Sequence, residues 1–149
     1  MTFVDIDSDA TTFNSSEATL DIRDGSDILF AGLYWGAQSN DVDRDKALFQ
    51  TPNSAGYQAI DGVIVGSRSA NYHAFADVTD LVKAAGEGAY RVANVQATEG
   101  TTGGGRYGGW SLVVAYKEAS EDLRNLNVFN GYTRVRRNDP AEVTLSGFT

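Results

Sequence analysis

Two apolar runs, each bounded by turn residues, constrain this chain more than anything else in it. One is Gly108–Lys117, GGWSLVVAYK. At period two, Trp110, Leu112, Val114 and Tyr116 fall on one face and Ser111, Val113 and Ala115 on the other. Both faces are largely apolar, and a strand with two dry faces belongs inside a sheet rather than at its edge. The second run, Ile28–Gly36, reads ILFAGLYWG and is the natural partner of the first. Gly32 and Gly36 interrupt it on one face, which predicts that Tyr34 needs room beside it or that another backbone comes close.

The rest of the chain fits the same picture. Sixteen glycines, frequent Thr, Ser, Asn and Asp, and few Lys and Glu suit short strands joined by turns. Strands are predicted at Glu17–Ile22, Ile28–Gly36, Tyr57–Val65 with a break at Asp61-Gly62, Asn71–Phe75, Tyr90–Ala97, Gly108–Lys117, Leu123–Tyr132, Arg134–Arg136 and Glu142–Ser146. Residues 37–55 read as a long polar loop, Gly100–Gly109 as a glycine loop, and Asn138-Asp139-Pro140 as a turn. One short helix is predicted near residues 78–85, with Asp77 as its N-cap, Leu81 and Val82 facing inward and Gly86 ending it. About nine strands, one helical segment and no repeat imply an all-β fold: a two-sheet antiparallel sandwich, jelly-roll-like, forming a single domain over residues 1–149. The face of the central strands that does not meet the opposite sheet should lie under the helix or a long loop.

Charge and composition narrow the function. Twenty acidic against twelve basic residues give a net charge of −8, which disfavours a nucleic-acid partner and favours divalent cations. No run is long enough to span a membrane. There is no cysteine, so neither disulfides nor thiolate metal sites enter. The first residues, MTFVDIDSDA, lack the basic and apolar regions of a signal peptide, so an exported version would be a piece of a longer precursor.

Two DxDxD runs, Asp5, Asp7, Asp9 and Asp41, Asp43, Asp45, are the candidate metal ligands. Alternate carboxylates of an extended segment point the same way, and calcium accepts six to eight oxygens in flexible geometry. Neither run has the glycine and glutamate of an EF-hand, and a solvated acidic segment is the competing explanation. Gly103, Gly105 and Gly108 match the spacing of a dinucleotide fingerprint but open a strand, so a surface loop is the better reading. Within that loop Arg106 and Tyr107 are candidate ligand contacts. Tyr34 or Trp35 is a candidate stacking platform for sugars, because neighbouring residues of a strand point to opposite faces and one of the pair can stand at a surface. His73 is the sole histidine, and no nucleophile-elbow motif accompanies it, so no catalytic constellation is predicted and the chain reads as non-enzymatic.

Three blocks together carry a family resemblance: ILFAGLYWGA, YHAFADVTDLVKAAGEGAYRVANVQ and RYGGWSLVVAYKEASEDLRNLNVFNGY. In this order they resemble a β-sandwich module of large secreted bacterial surface proteins, adhesin-like chains that continue into immunoglobulin-like repeats. The resemblance covers about residues 3–148 and implies a secreted or cell-surface location and a structural or binding role toward a surface or matrix component; the alternative is a carbohydrate-binding jelly roll whose aromatics and loop carboxylates would form a glycan site. It transfers no catalytic residues. Such modules continue past the point matching Gly147-Phe148. A sandwich short of a strand would self-associate through its unpaired sheet edge.

Overall fold

The computed structural model describes residues 1–101, 106–122, 124–133, 135, 137–138 and 140–147. They form an all-β, two-sheet antiparallel sandwich with one short helix. The strands are β1 (Ser15–Leu20), β2 (Asp27–Gln38), β3 (Lys46–Gln50), β4 (Gln58–Asp61), β5 (Val63–Arg68), β6 (Asn71–Asp77), β7 (Gly88–Ala93) and β8 (Gly108–Lys117), with helix α1 (Thr79–Ala85) between β6 and β7. One sheet has the order β1-β7-β3-β4 and the other β5-β6-β2-β8.

β2 is the axis of its sheet. It pairs with β6 on one side and β8 on the other, so the expected partnership of the two apolar runs is present, with Trp35 opposite Trp110 and Leu33 opposite Leu112. Its inner face, Ala31, Leu33, Trp35 and Ala37, packs against Ala47, Phe49, Tyr90 and Val92 of the other sheet. Its outer face carries Phe30, Gly32 and Tyr34. A side chain at Gly32 would meet the rings of Phe30, Phe75 and Tyr34 at 2.8–2.9 Å, so this glycine does make the room predicted for Tyr34. These rings form an aromatic layer, with Tyr34 to Phe75 at 5.0 Å between centroids.

β8 is not central. Among the described residues it ends its sheet. Its second apolar face has a different origin: Val113 and Ala115 share a broad groove with Asn125–Val128, which lie over the outside of the sheet. The chain after β8 acts as a partial third layer. Asn130 accepts a hydrogen bond from the Tyr34 hydroxyl, and Tyr132 sits on Gly66 of β5. That layer is built from irregular chain. No strand forms in the described part of 123–132 or at Glu142–Ser146, contrary to the sequence pattern: the first segment lays the Asn130 and Tyr132 side chains on the sheet's face instead of joining its ladder, and Val143 and Leu145 of the second are exposed. Leu123, Arg134, Arg136, Asp139 and the Gly103-x-Gly105 stretch lie outside the described residues.

Two further differences matter for the architecture. The polar segment 37–55 contains β3, whose Ala47 and Phe49 alternate into the core. The break predicted at Asp61-Gly62 is a crossing between sheets: β4 belongs to one and β5 to the other. Gly62 donates its amide to the Asp45 carbonyl at 2.8 Å, and a Cβ there would lie 2.4 Å from the Trp35 ring. β7 stops at Ala93 because Asn94 takes a left-handed conformation (φ 56°) and turns its backbone to Asn14.

Helix α1 closes one end of the sandwich. Asp77 accepts the Thr79 amide at 2.9 Å, one position earlier than a regular N-cap, and Gly86 at φ 72° ends the helix by bonding back to Val82. Two turns cannot persist alone. Here Val82 is fully buried, Val78 donates to the Ala31 carbonyl, and the Tyr90 hydroxyl bonds to Gly86.

Candidate functional site

The residues singled out by sequence fall into four places, and they do not converge. Tyr34 and Trp35 are 9% and 1% exposed. The expectation that one of them stands at the surface is not met. Trp35 fills the core and donates its indole N–H to the Arg44 carbonyl at 3.0 Å, while Tyr34 lies beneath the chain that follows β8, beside His73. Strand alternation did send them to opposite faces, but both faces are covered.

Asp5, Asp7 and Asp9 organise the segment before β1. Asp5 accepts from the Ser15 hydroxyl (2.7 Å), and Asp9 accepts from the amide and hydroxyl of Thr11 (2.9 and 2.7 Å). Asp7 accepts from the Tyr57 hydroxyl (2.6 Å), the Thr12 hydroxyl (2.9 Å) and the Asp9 amide (3.0 Å). The Tyr57 hydroxyl, then the Asp9 amide, hold the Asp7 carboxyl down at about 2, outweighing desolvation. Burial and the Asp7 carboxylate push Tyr57 up to about 12. The result is a strap. It is tied to the 94–100 segment through Met1–Gly100, Phe3–Glu99 and Asn94–Phe13 hydrogen bonds, and to the region just before β4 through Tyr57.

Asp41, Asp43 and Asp45 are likewise engaged locally. The Asp41 carboxylate accepts the Asp43 amide at 2.9 Å, Asp43 pairs with Lys46 at 2.6 Å, and the Asp45 backbone holds Gly62. Among the described residues no three His or carboxylate side chains gather as a metal-binding group. Tyr107 stands at the surface just before β8, and Arg106 beside it has a buried Nε without a hydrogen-bond partner.

The feature that sequence reasoning missed is the side of the sandwich where β1 and β8 face each other. Each ends its sheet among the described residues. Ser15 turns its amide outward to the Val4 carbonyl, so period-two alternation puts the backbone groups of Glu17 and Thr19 on that same free side. On β8 the Tyr107 carbonyl accepts the Gln38 amide, so Trp110 and Leu112 direct their backbone groups away from β2. Between the strands runs a groove of about 510 Å³, lined by Ser16, Ala18, Leu20, Tyr90, Trp110 and Leu112 among others. The Trp110 indole donates across it to the Ser16 hydroxyl at 2.7 Å, and just past the ends of the two strands Arg23 pairs with Glu118 at 2.9 Å.

The groove is therefore apolar inside and edged by two rows of backbone donors and acceptors. That arrangement suits an extended polypeptide, whose main chain bonds the edge while alternate side chains enter the groove. The signal in the sequence is the unusually apolar β8, whose two dry faces predict a central strand while the structure puts it at the end of its sheet among the described residues. No protein-family model, no curated protein and no solved structure matches this chain. No helix among the described residues is long and apolar enough to cross a membrane.

Proposed function

We propose that this chain is a non-enzymatic binding and structural module of a secreted or cell-surface protein, and that it works by strand addition. The observation that carries this reading is the open side of the sandwich, where two free strand edges flank one apolar groove. Exposed edges are normally blunted by charge, proline, short length or a covering loop. β8 is ten residues long with no proline and a charge only at Lys117. An edge left in that state is a template for another strand.

The occupant is an extended segment that alternates apolar and polar residues. A second copy of this chain offers one: Glu142–Ser146 places Val143 and Leu145 on the same side, both are exposed, and the segment belongs to no strand. A module with both features joins its neighbours by mutual completion, as a component of a surface assembly.

The test uses Thr19→Pro. Proline there removes an outward N–H without touching the ladder to β7, so the fold is retained. The wild-type chain is expected to gain mass with concentration in light scattering, with the Glu17 and Thr19 amides becoming protected from hydrogen exchange. Thr19→Pro is expected to lose both effects. A wild-type chain that stays monomeric at millimolar concentration and leaves those amides unprotected in the presence of a synthetic 140–147 peptide overturns the proposal.

A further inference from the structure

At the tip of the β5–β6 hairpin lies a second cavity, which shares no lining residue with the β1–β8 groove. It measures about 420 Å³ and is lined by Arg68, Ser69, Asn71, Tyr107, Tyr132, Thr133 and Val135. We propose that this cleft binds a saccharide unit bearing a carboxylate, such as a uronic acid within a surface glycan. The proposal is independent of strand addition, since the two sites share no residue.

Four observations support it. First, the wall is held in place by a specific packing contact. A Cβ on Gly66 would lie 2.3 Å from that of Tyr132, so Tyr132 sits directly on the glycine's backbone, where β5 also slips register against β6. Second, the tip is held in an unusual conformation: Ser69 has φ 54°, which an L-residue adopts at a cost and which aims the flanking Arg68 and Asn71. Third, the lining is that of a sugar site. Tyr107, 50% exposed, offers a ring face beside a second tyrosine, and Asn71, Ser69 and Thr133 supply donors and acceptors for ring hydroxyls. Tyr107 is raised by burial and further by the nearby Tyr132, consistent with two phenols sharing one cleft.

The fourth observation selects an acidic sugar over a neutral one. Among the described residues Arg68 is the sole charged one lining the cleft, and none of their carboxylates pairs with it. In a chain of net charge −8, an arginine without a counter-ion is a standing offer to a carboxylate, which its guanidinium can grip with two parallel hydrogen bonds.

The probes are oligogalacturonate and its neutral methyl ester, titrated calorimetrically into the full chain. Oligogalacturonate is expected to bind and the ester to bind at least about tenfold more weakly, the loss of one charge-assisted contact. Arg68→Gln is expected to bring oligogalacturonate down to the ester's affinity while leaving the ester unchanged. Tyr107→Ala is expected to weaken both, and Tyr107→Phe to retain most of the stacking. Both positions are exposed, so these variants fold, as circular dichroism will confirm. Failure of oligogalacturonate to bind, or equal binding of both probes by wild type and Arg68→Gln, overturns the assignment.

Discussion

The two long sides of this sandwich are built from the same material and end differently. On one side β4 and β5 are consecutive in the chain and hand over from sheet to sheet through Gly62. The crossing is covalent, its amide is bonded to Asp45, and its glycine rests on the Trp35 ring. On the other side β1 and β8 are far apart in sequence, and side-chain contacts span the gap: Trp110 to Ser16 between the strands, and Arg23 to Glu118 just past their ends. A sandwich can be shut by the chain itself or left for something else to shut. The difference shows that burial of apolar surface does not dictate closure. It sets which faces are dry, while connectivity decides which edges are paired.

The comparison can be broken first at the closed side. Gly62→Ala places a methyl group against a buried indole and the Phe75 carbonyl, neither of which can yield. The expected cost is about 2–3 kcal/mol, read as a lower urea midpoint with an unchanged slope. A loss below about 0.5 kcal/mol would mean that the crossing is looser than drawn.

At the open side the expected effect is smaller. Trp110→Phe keeps an aromatic ring in the groove and removes the donor to Ser16. About 1 kcal/mol should be lost, because the freed hydroxyl can turn to water. The informative readout is hydrogen exchange: β1 amides should open faster while those of β4 and β5 do not change. Uniform acceleration across both sides would show that the two edges are not independent.

The smallest effect concerns the strap that leads into β1. Asp7 has its pKa depressed to about 2 in the folded chain, so its contribution is fully present above the ordinary carboxylate pKa near 4 and is lost as pH falls from there through about 2. Over that window the 1–14 segment should detach before the sandwich melts, visible as Tyr57 fluorescence or amide exchange at Ile6 and Asp9. Tyr57→Phe removes the leading donor and should move the onset of detachment toward pH 4. An onset that ignores this substitution would remove Tyr57 from the tie.

Much of the frame was readable because its cues are local. The period-two runs named β2 and β8 and paired them, Gly32 announced the crowding beside Tyr34, and Asp77 with Gly86 bracketed α1. β3 was hidden because three apolar residues, Ala47, Leu48 and Phe49, sit among polar neighbours and draw their strand character from pairing with β4 and β7. The sites were less legible. Tyr107 does line a cleft, but its companions Arg68, Asn71 and Tyr132 come from a hairpin and a covering segment that no spacing connects. The aspartate runs look alike in sequence, yet each carboxylate's partners, Tyr57, Ser15 or Lys46, are set by where the chain has folded back.

By itself the sequence determined that this chain is a β-sandwich with one capping helix, since apolar periodicity and turn residues act over a few positions. The tertiary structure alone decided that Tyr34 is roofed by the chain beyond it and that, among the described residues, β8 lies at an edge and one side of the sandwich stands open. A strand's pattern records how many of its faces are dry. It carries no record of whether a neighbouring strand or a draped segment keeps them so, because that depends on residues tens of positions away.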